Sequence, residues 1–442
     1  MPGPMTPSPP AITAESPSPT SLQPLIQQLQ GGDFHEKWNT MKALVQLGDV
    51  AIDPLLACLA DLDLDPLDLD PLDLGPLDLD PENDEEDSDE TLWELPWFIA
   101  QTLGQIRHPR ALTALVHLVH HHPSREVAQV AATALAHLGE AALPALRALI
   151  QEPATRLHGV QALAHMRDPG VVDLLLEAVT AEESSVRALA IEALGGFLDP
   201  RIAPAFAQAL QDPMPQVRQG AIVGVGLRSS ALDSTWLIQQ LSPLLWDLNL
   251  AVACQAATAL GRLGLDAGVA PLLSLLDLPV ALPLQRAAIQ ALNTLATTSA
   301  LQGLETYLWV CLDRPEAMPQ ALAQEILGSL GTWAKSPQRG AAIALLLRFL
   351  QNTTGNPDHS TLKQLAAHSL GQLGHDSTLP ALILLLGDPH GGVRLHAIAA
   401  LKQINGDRAL AQLHHHQQHP QAPWDSPPIQ AGIALALAEW HP

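Results

Sequence analysis

Aromatic side chains are scarce in this 442-residue chain: nine Trp, five Phe and one Tyr, or 3% of the total. An apolar interior has to be filled by Leu and Ala, both strong helix formers. Cysteine is rarer still. Cys58, Cys254 and Cys311 lie far apart in apolar phrases and no CxxC occurs, which excludes a disulfide scaffold and a thiolate zinc site and points to reduced core thiols. Basic residues number 22 against 46 acidic ones, a formal net charge of −24. That argues against nucleic acid as a partner, because phosphate has to be neutralised by cations. Long β-branched runs are scarce, so no sheet is expected. No run of 18 apolar residues occurs, so no membrane span is expected. The start, MPGPMTPSPPAITAESPSPT, lacks the basic and apolar stretches of a secretion signal, and a cytoplasmic location is expected. No Ser/His/Asp elbow, GxxxxGK or dinucleotide GxGxxG is found, and no cofactor is expected.

What the chain does have is a helical phrase that returns about every 31 residues. TRLHGVQALAHM, VRALAIEALGGFL and VRQGAIVGVGL centre near Leu163, Leu194 and Val225, with Arg156, Arg187 and Arg218 in one equivalent place. A fixed period of this length marks stacked repeats, in which each unit buries its apolar face on its neighbours. Short Leu-rich helices, such as Ile52–Leu59 and Ala141–Ile150, alternate with longer Ala-rich ones, such as Ser124–Gly139 and Leu250–Gly264. The apolar spacing of three and four is that of amphipathic helices. Closing Gly residues are expected to cap them in the left-handed conformation. Asp168-Pro169, Asp199-Pro200, Asp212-Pro213 and Asp388-Pro389 punctuate the turns. The expected fold class is all-α, an α-α superhelical solenoid of about twelve helix pairs.

The expected organisation is a disordered Pro/Ser-rich tail at 1–20, N-terminal helices at 21–60, an acidic disordered insertion at 61–91, and a solenoid with an irregular C-terminal cap at 92–442. Between Asp61 and Glu90 stand fifteen acidic and no basic residues, which leaves −9 of the −24 for the rest of the chain. Pro66, Pro71, Pro76 and Pro81 recur every five residues there, and Pro with dense like charge sustains neither helix nor core. This segment reads as a solvated spacer or as a mask over a basic stripe.

The phrases DPMPQVRQGAIVGVG (Asp212–Gly226), DPHGGVRLHAIAALKQI (Asp388–Ile404) and AATALGRLGLDAGVAPLLSLL (Ala256–Leu276) resemble HEAT repeats. More narrowly, they resemble the HEAT-like repeats of the phycobilisome lyase family. The resemblance implies an α-α superhelix whose VRxxAxxALGxLG helices line the concave face. It also implies a cyanobacterial setting, where some members are bilin lyases and others are adaptors, including a partner of an iron–sulfur assembly protein. A di-iron hydroxylase of this type uses repeated His-Glu pairs; this chain has one, His35-Glu36, so that activity is not expected.

The expected function is a non-catalytic protein-binding scaffold serving phycobilisome or iron–sulfur assembly. The alternative is a phycobilin lyase or chromophore-handling chaperone, with phycobiliprotein or bilin as partner. Three patterns supply candidate residues. The slot after the repeat Val holds Lys37, Arg156, Arg187, Arg218, Lys363 and Arg394 among eleven positions. These residues either tie neighbouring turns together or form an electropositive stripe for carboxylates; Arg156, Arg187, Arg218 and Arg394 are the partner-binding candidates. Two histidine clusters, His117/His120/His121/His122 and His414/His415/His416/His419, lack the further ligands of a zinc set and suit polar helix ends; no metal is expected. WELPWFIAQTLGQI (Trp93–Ile106) offers Trp97 and Phe98 as interface anchors, with the alternative that the rings cover the end of a disrupted repeat.

Overall fold

The computed structural model describes residues 22–62, 90–314, 320–354 and 356–440. The tail at 1–20 and most of the insertion at 61–91 lie outside these residues. At the insertion's edges, Asp61 closes one helix and Glu90 opens the next. No strand occurs among the described residues. Helices follow one another in about twelve pairs in chain order; short and long ones alternate up to Leu295, after which Thr298–Asp313 (16 residues) and Arg339–Asn352 (14 residues) flank the shorter Gln320–Ser329 (10 residues).

Two compact units divide the chain between Ala209 and Leu210. Unit 1 contains α1 (Leu22–Gly31), α2 (Phe34–Leu47), α3 (Ile52–Asp61), α4 (Glu90–Ile106), α5 (Leu112–His121), α6 (Arg125–His137), α7 (Leu143–Gln151), α8 (Arg156–His165), α9 (Val172–Ala178), α10 (Ser184–Leu194) and α11 (Ile202–Ala209). Unit 2 contains α12 (Pro215–Leu227), α13 (Ser234–Leu241), α14 (Leu250–Leu263), α15 (Val269–Ser274), α16 (Leu282–Leu295), α17 (Thr298–Asp313), α18 (Gln320–Ser329), α19 (Arg339–Asn352), α20 (Ser360–Leu373), α21 (Leu379–Leu385), α22 (Gly391–Gln418) and α23 (Pro427–Trp440). α22 is two helices joined across a kink at Asn405 (φ −163°, ψ 90°).

Local chemistry sets the helix ends. Asp33 and Glu36 form a reciprocal capping box on α2, and the Asn249 side chain accepts from the Ala251 and Val252 amides at the start of α14. Gly48, Gly139, Gly264 and Gly374 take φ of 62–69° after α2, α6, α14 and α20, where a Cβ would be strained. Gly195 departs from this expectation and stays right-handed at φ −57°. Each Asp-Pro aspartate accepts an amide two residues on, from Gly170, Arg201, Met214 and His390.

The long helices pack side by side more extensively than the short ones do within each unit. Small residues permit that approach. A Cβ on Gly104 of α4 would lie 2.6 Å from the Ala134 Cβ of α6, and one on Gly261 of α14 would lie 2.7 Å from the Ala291 Cα of α16. The apolar stretch Phe34–Asp61 is long enough to cross a membrane by composition, but it is α2 and α3 separated by the turn at Gly48.

Candidate protein-binding face

The slot residues adopt one repeated geometry. Each arginine reaches back to the carbonyls five and six residues earlier, in the turn that enters its helix. Arg156 donates to Ile150 and Gln151 (2.8 and 3.2 Å), Arg187 to Ala181 and Glu182 (2.8 and 2.7 Å), Arg218 to Asp212 and Pro213 (2.7 and 3.1 Å), and Arg394 to Asp388 and Pro389 (2.8 and 3.0 Å). Several also grip an acid in the next repeat. Arg156 Nη1 donates to both Glu183 oxygens (2.8 and 2.7 Å), and Arg218 Nε and Nη2 donate to Asp247 (2.7 Å each). Lys37 pairs with Glu94, and Lys363 with Asp388 at 2.8 Å. The planar guanidinium suits this bidentate work. The Arg156 hydrogen bonds hold the Glu183 carboxyl below its usual range. For Asp247, burial pushes upward, but the Arg218 hydrogen bonds and the Asn249 amide outweigh it and the net direction is down. Arg156 and Arg218 thus engage Nε and both terminal nitrogens inside their own unit, whereas Arg187 and Arg394 reach the turn carbonyls through Nη1.

The WELPWF phrase divides. Phe98 is fully buried, with Phe34 at 5.2 Å, Trp97 at 5.1 Å and Trp38 at 6.5 Å between ring centroids. As an exposed anchor it is corrected to a core residue, because α2 closes over it. Trp97 and Trp38 are half-buried, and Phe34 is 53% exposed. Lys42 Nζ sits 5.5 Å from the Trp38 ring centroid. α2 and α4 therefore present Phe34, Trp38 and Trp97 as one aromatic patch. Trp236 is likewise half-buried.

The histidines end helices, as their position suggests. His117 and His121 are 4.6 Å apart between centroids, His120 lies 3.4 Å from Glu152, and His416 stacks on Trp424 at 4.2 Å. His122 accepts the Ser124 amide (3.1 Å) and burial lowers its pKa below the ordinary value. No group of three or more metal-ligating side chains occurs among the described residues. Burial pushes the Cys311 thiol up to about 11 and also raises Cys58 and Cys254; all three are free thiols.

One surface was not singled out from the sequence. On the long helices of unit 1, the free face carries i, i+4 stripes: Trp93, Trp97, Gln101 and Gln105 on α4; Arg125, Gln129, Thr133 and His137 on α6. Gln161 and His165 continue the surface on α8. His158 Nδ1 and Gln161 Oε1 are buried with no hydrogen-bond partner among the described residues. The signal was present in the repeat register. These polar residues sit two before and two after the repeat Leu (Leu103, Leu135, Leu163), on the flank of the buried stripe.

The HEAT repeats family model matches residues 88–154, 151–226, 172–243, 202–296 and 348–438. The chain is a HEAT-repeat protein. The PBS lyase HEAT-like repeat model matches this HEAT protein at 37–61, which includes Lys37, Trp38 and Lys42. No curated protein matches it. Among solved structures, it is similar to Kap95p from a study of RanGDP binding (TM-score 0.52, 14% identity) and to Kap95 from a complex with Nup1 (0.54, 14%). It is also similar to Kap121p bound to Pho4p (0.52, 15%). Each alignment covers 95% of this HEAT protein but 60%, 61% and 45% of the respective chains, so it spans about three fifths or less of their length. At this identity the likeness is one of fold.

Proposed function

We propose that this HEAT protein is a non-catalytic scaffold that holds a partner protein on the long-helix face of unit 1. The observation that carries the reading is the aromatic patch of Phe34, Trp38 and Trp97 at one end of a face lined by amides and imidazoles. Large rings at the centre of a contact and polar groups around them are the composition of protein interfaces. Kap95 in its complex with Nup1 and Kap121p bound to Pho4p share the fold, and the stacked architecture supports such extended contacts. The match to the PBS lyase HEAT-like repeat at 37–61 supports a phycobilisome client, with iron–sulfur assembly as the other adaptor role and the cytoplasm as the setting.

The same match favours a second reading, a bilin lyase or chromophore chaperone. Against it, the arginines best placed by sequence to hold propionates are engaged with carbonyls and carboxylates. One experiment separates the two. The full chain and a Phe34→Ala/Trp97→Ala variant serve as baits in a native extract, and the eluates are identified and scanned for visible absorbance. The scaffold reading expects one partner near stoichiometry, retained at least tenfold less by a variant with unchanged circular dichroism, and no chromophore transferred. Equal retention overturns the assigned face, and chromophore transfer to the client replaces the first reading with the second.

A further inference from the structure

The cations of this chain are few, and most of those in the repeat slots are committed to turns. A different set gathers where α4, α6 and α8 end. Arg107 follows α4, His137 closes α6, and His165 closes α8 with Arg167 two residues on; all four are exposed. Neither the Arg107 nor the Arg167 guanidinium makes a hydrogen bond or ion pair with any described residue. The charges acting on His137 are Arg107 from α4 and His165 from α8, and no carboxylate is among them.

Two glycines open the space these side chains use. A Cβ on Gly104 would sit 3.5 Å from His137 Nδ1, and one on Gly196 would sit 2.7 Å from Arg167 Nη1. Arg167 thereby lies across the end of α10. Cations at helix C-termini are favoured by the helix dipole, which explains a single residue at each end but not two unpaired guanidinium groups beside two imidazoles. Neighbouring long helices at about 8–10 Å spacing carry the row over about 20 Å, the length of about six extended residues. The row continues the face that bears Trp97, which stands about 15 Å back along α4 by helical rise.

We propose that Arg107, His137, His165 and Arg167 bind a carboxylate-rich extended segment of the partner protein. Each guanidinium can take a carboxylate bidentately, and the His137 imidazole adds charge when protonated. The inference rests on the reading of this face as the partner surface and names the partner's chemistry. Acidic residues on the flanking elements include Glu192 on α10, Glu140 after α6 and Asp168 before α9. Asp168 is occupied with the Gly170 amide.

Burial, then Arg107 and His165, lower the His137 pKa below the ordinary 6.5, with the Gly104 carbonyl opposing. His137 is therefore neutral at pH 7.5 and gains its proton on acidification, which adds charge to the row. The test uses the full chain and a fluorescein-labelled peptide of twelve glutamates, followed by anisotropy. The expected results are saturable binding, tighter at pH 6.0 than at 7.5, and weakening as salt rises. Arg107→Glu/Arg167→Glu should weaken it at least tenfold. Arg107→Gln/Arg167→Gln, which keeps the size and avoids reversed charge, should weaken it to an intermediate degree with an unchanged melting curve. Absence of binding, or binding indifferent to both variants, overturns the proposal. Binding that appears only when residues 63–89 are replaced by Gly/Ser assigns the row to the chain's own acids and overturns it too. Extract capture that survives the Glu variant while failing with Phe34→Ala/Trp97→Ala sinks this inference and leaves the scaffold reading standing.

Discussion

A lysine with 1% of its side chain exposed is an unusual element of a helical stack, and Lys363 shows why the repeat slot is basic. Its Nζ donates to the Asn356 carbonyl (2.9 Å) and to Asp388 (2.8 Å), whose side chain is itself 6% exposed. Removing one member of a buried pair strands the other in a poor dielectric. Lys363→Ala should cost about 3–5 kcal/mol, whereas Arg394→Ala, which gives up carbonyl bonds to the turn, should cost about 1 kcal/mol. Urea midpoints of the two variants check the ranking, and equal shifts would refute it. The slot itself was legible in the sequence, because the 31-residue spacing of Arg156, Arg187 and Arg218 is visible as text. What the text left open was which of two uses the charge had. That depended on whether Glu183 and Asp247, 27 and 29 residues further on, came within reach, and the fold brings them to 2.7 Å.

At the scale of the helix, small residues decide how closely the long helices approach. Gly104→Val would drive methyl groups into Ala134 and separate α4 from α6, at a cost of about 1–3 kcal/mol. Gly264, with φ 69° and open space around it, tests a different cause: Gly264→Ala strains the backbone alone, by about 1–2 kcal/mol. Hydrogen exchange distinguishes them, with α4 and α6 losing protection in the first variant and only the end of α14 in the second. The alternation of short and long helices and their glycine caps followed from apolar spacing and Gly position. Phe98 did not. Trp97 and Phe98 are adjacent in sequence, but successive helical residues are rotated about 100°, so one faces the α2 interface and the other the rim. The text carries no mark of which rotation the packing selects.

At the scale of the whole molecule, the most extensive packing among the described residues joins neighbouring repeats, so a local loss of stability should stay local. Leu163→Ala in unit 1 removes a fully buried side chain and should cost about 2–5 kcal/mol. Exchange mass spectrometry should then report faster exchange across α6, α8 and α10 while α14 to α21 keep their protection; a uniform rise would contradict a stack of separable units. Periodicity, composition and capping residues are local, and these alone determined an all-helical chain of paired repeats, the register of each buried stripe and the identity of the turn-binding slot. Tertiary packing decided the rest: which ring is core and which is rim, which arginines are used up in sutures, and where unpaired cations gather. Those outcomes depend on side chains about 30 residues apart meeting at distances of a few ångströms, and no local pattern encodes such a meeting.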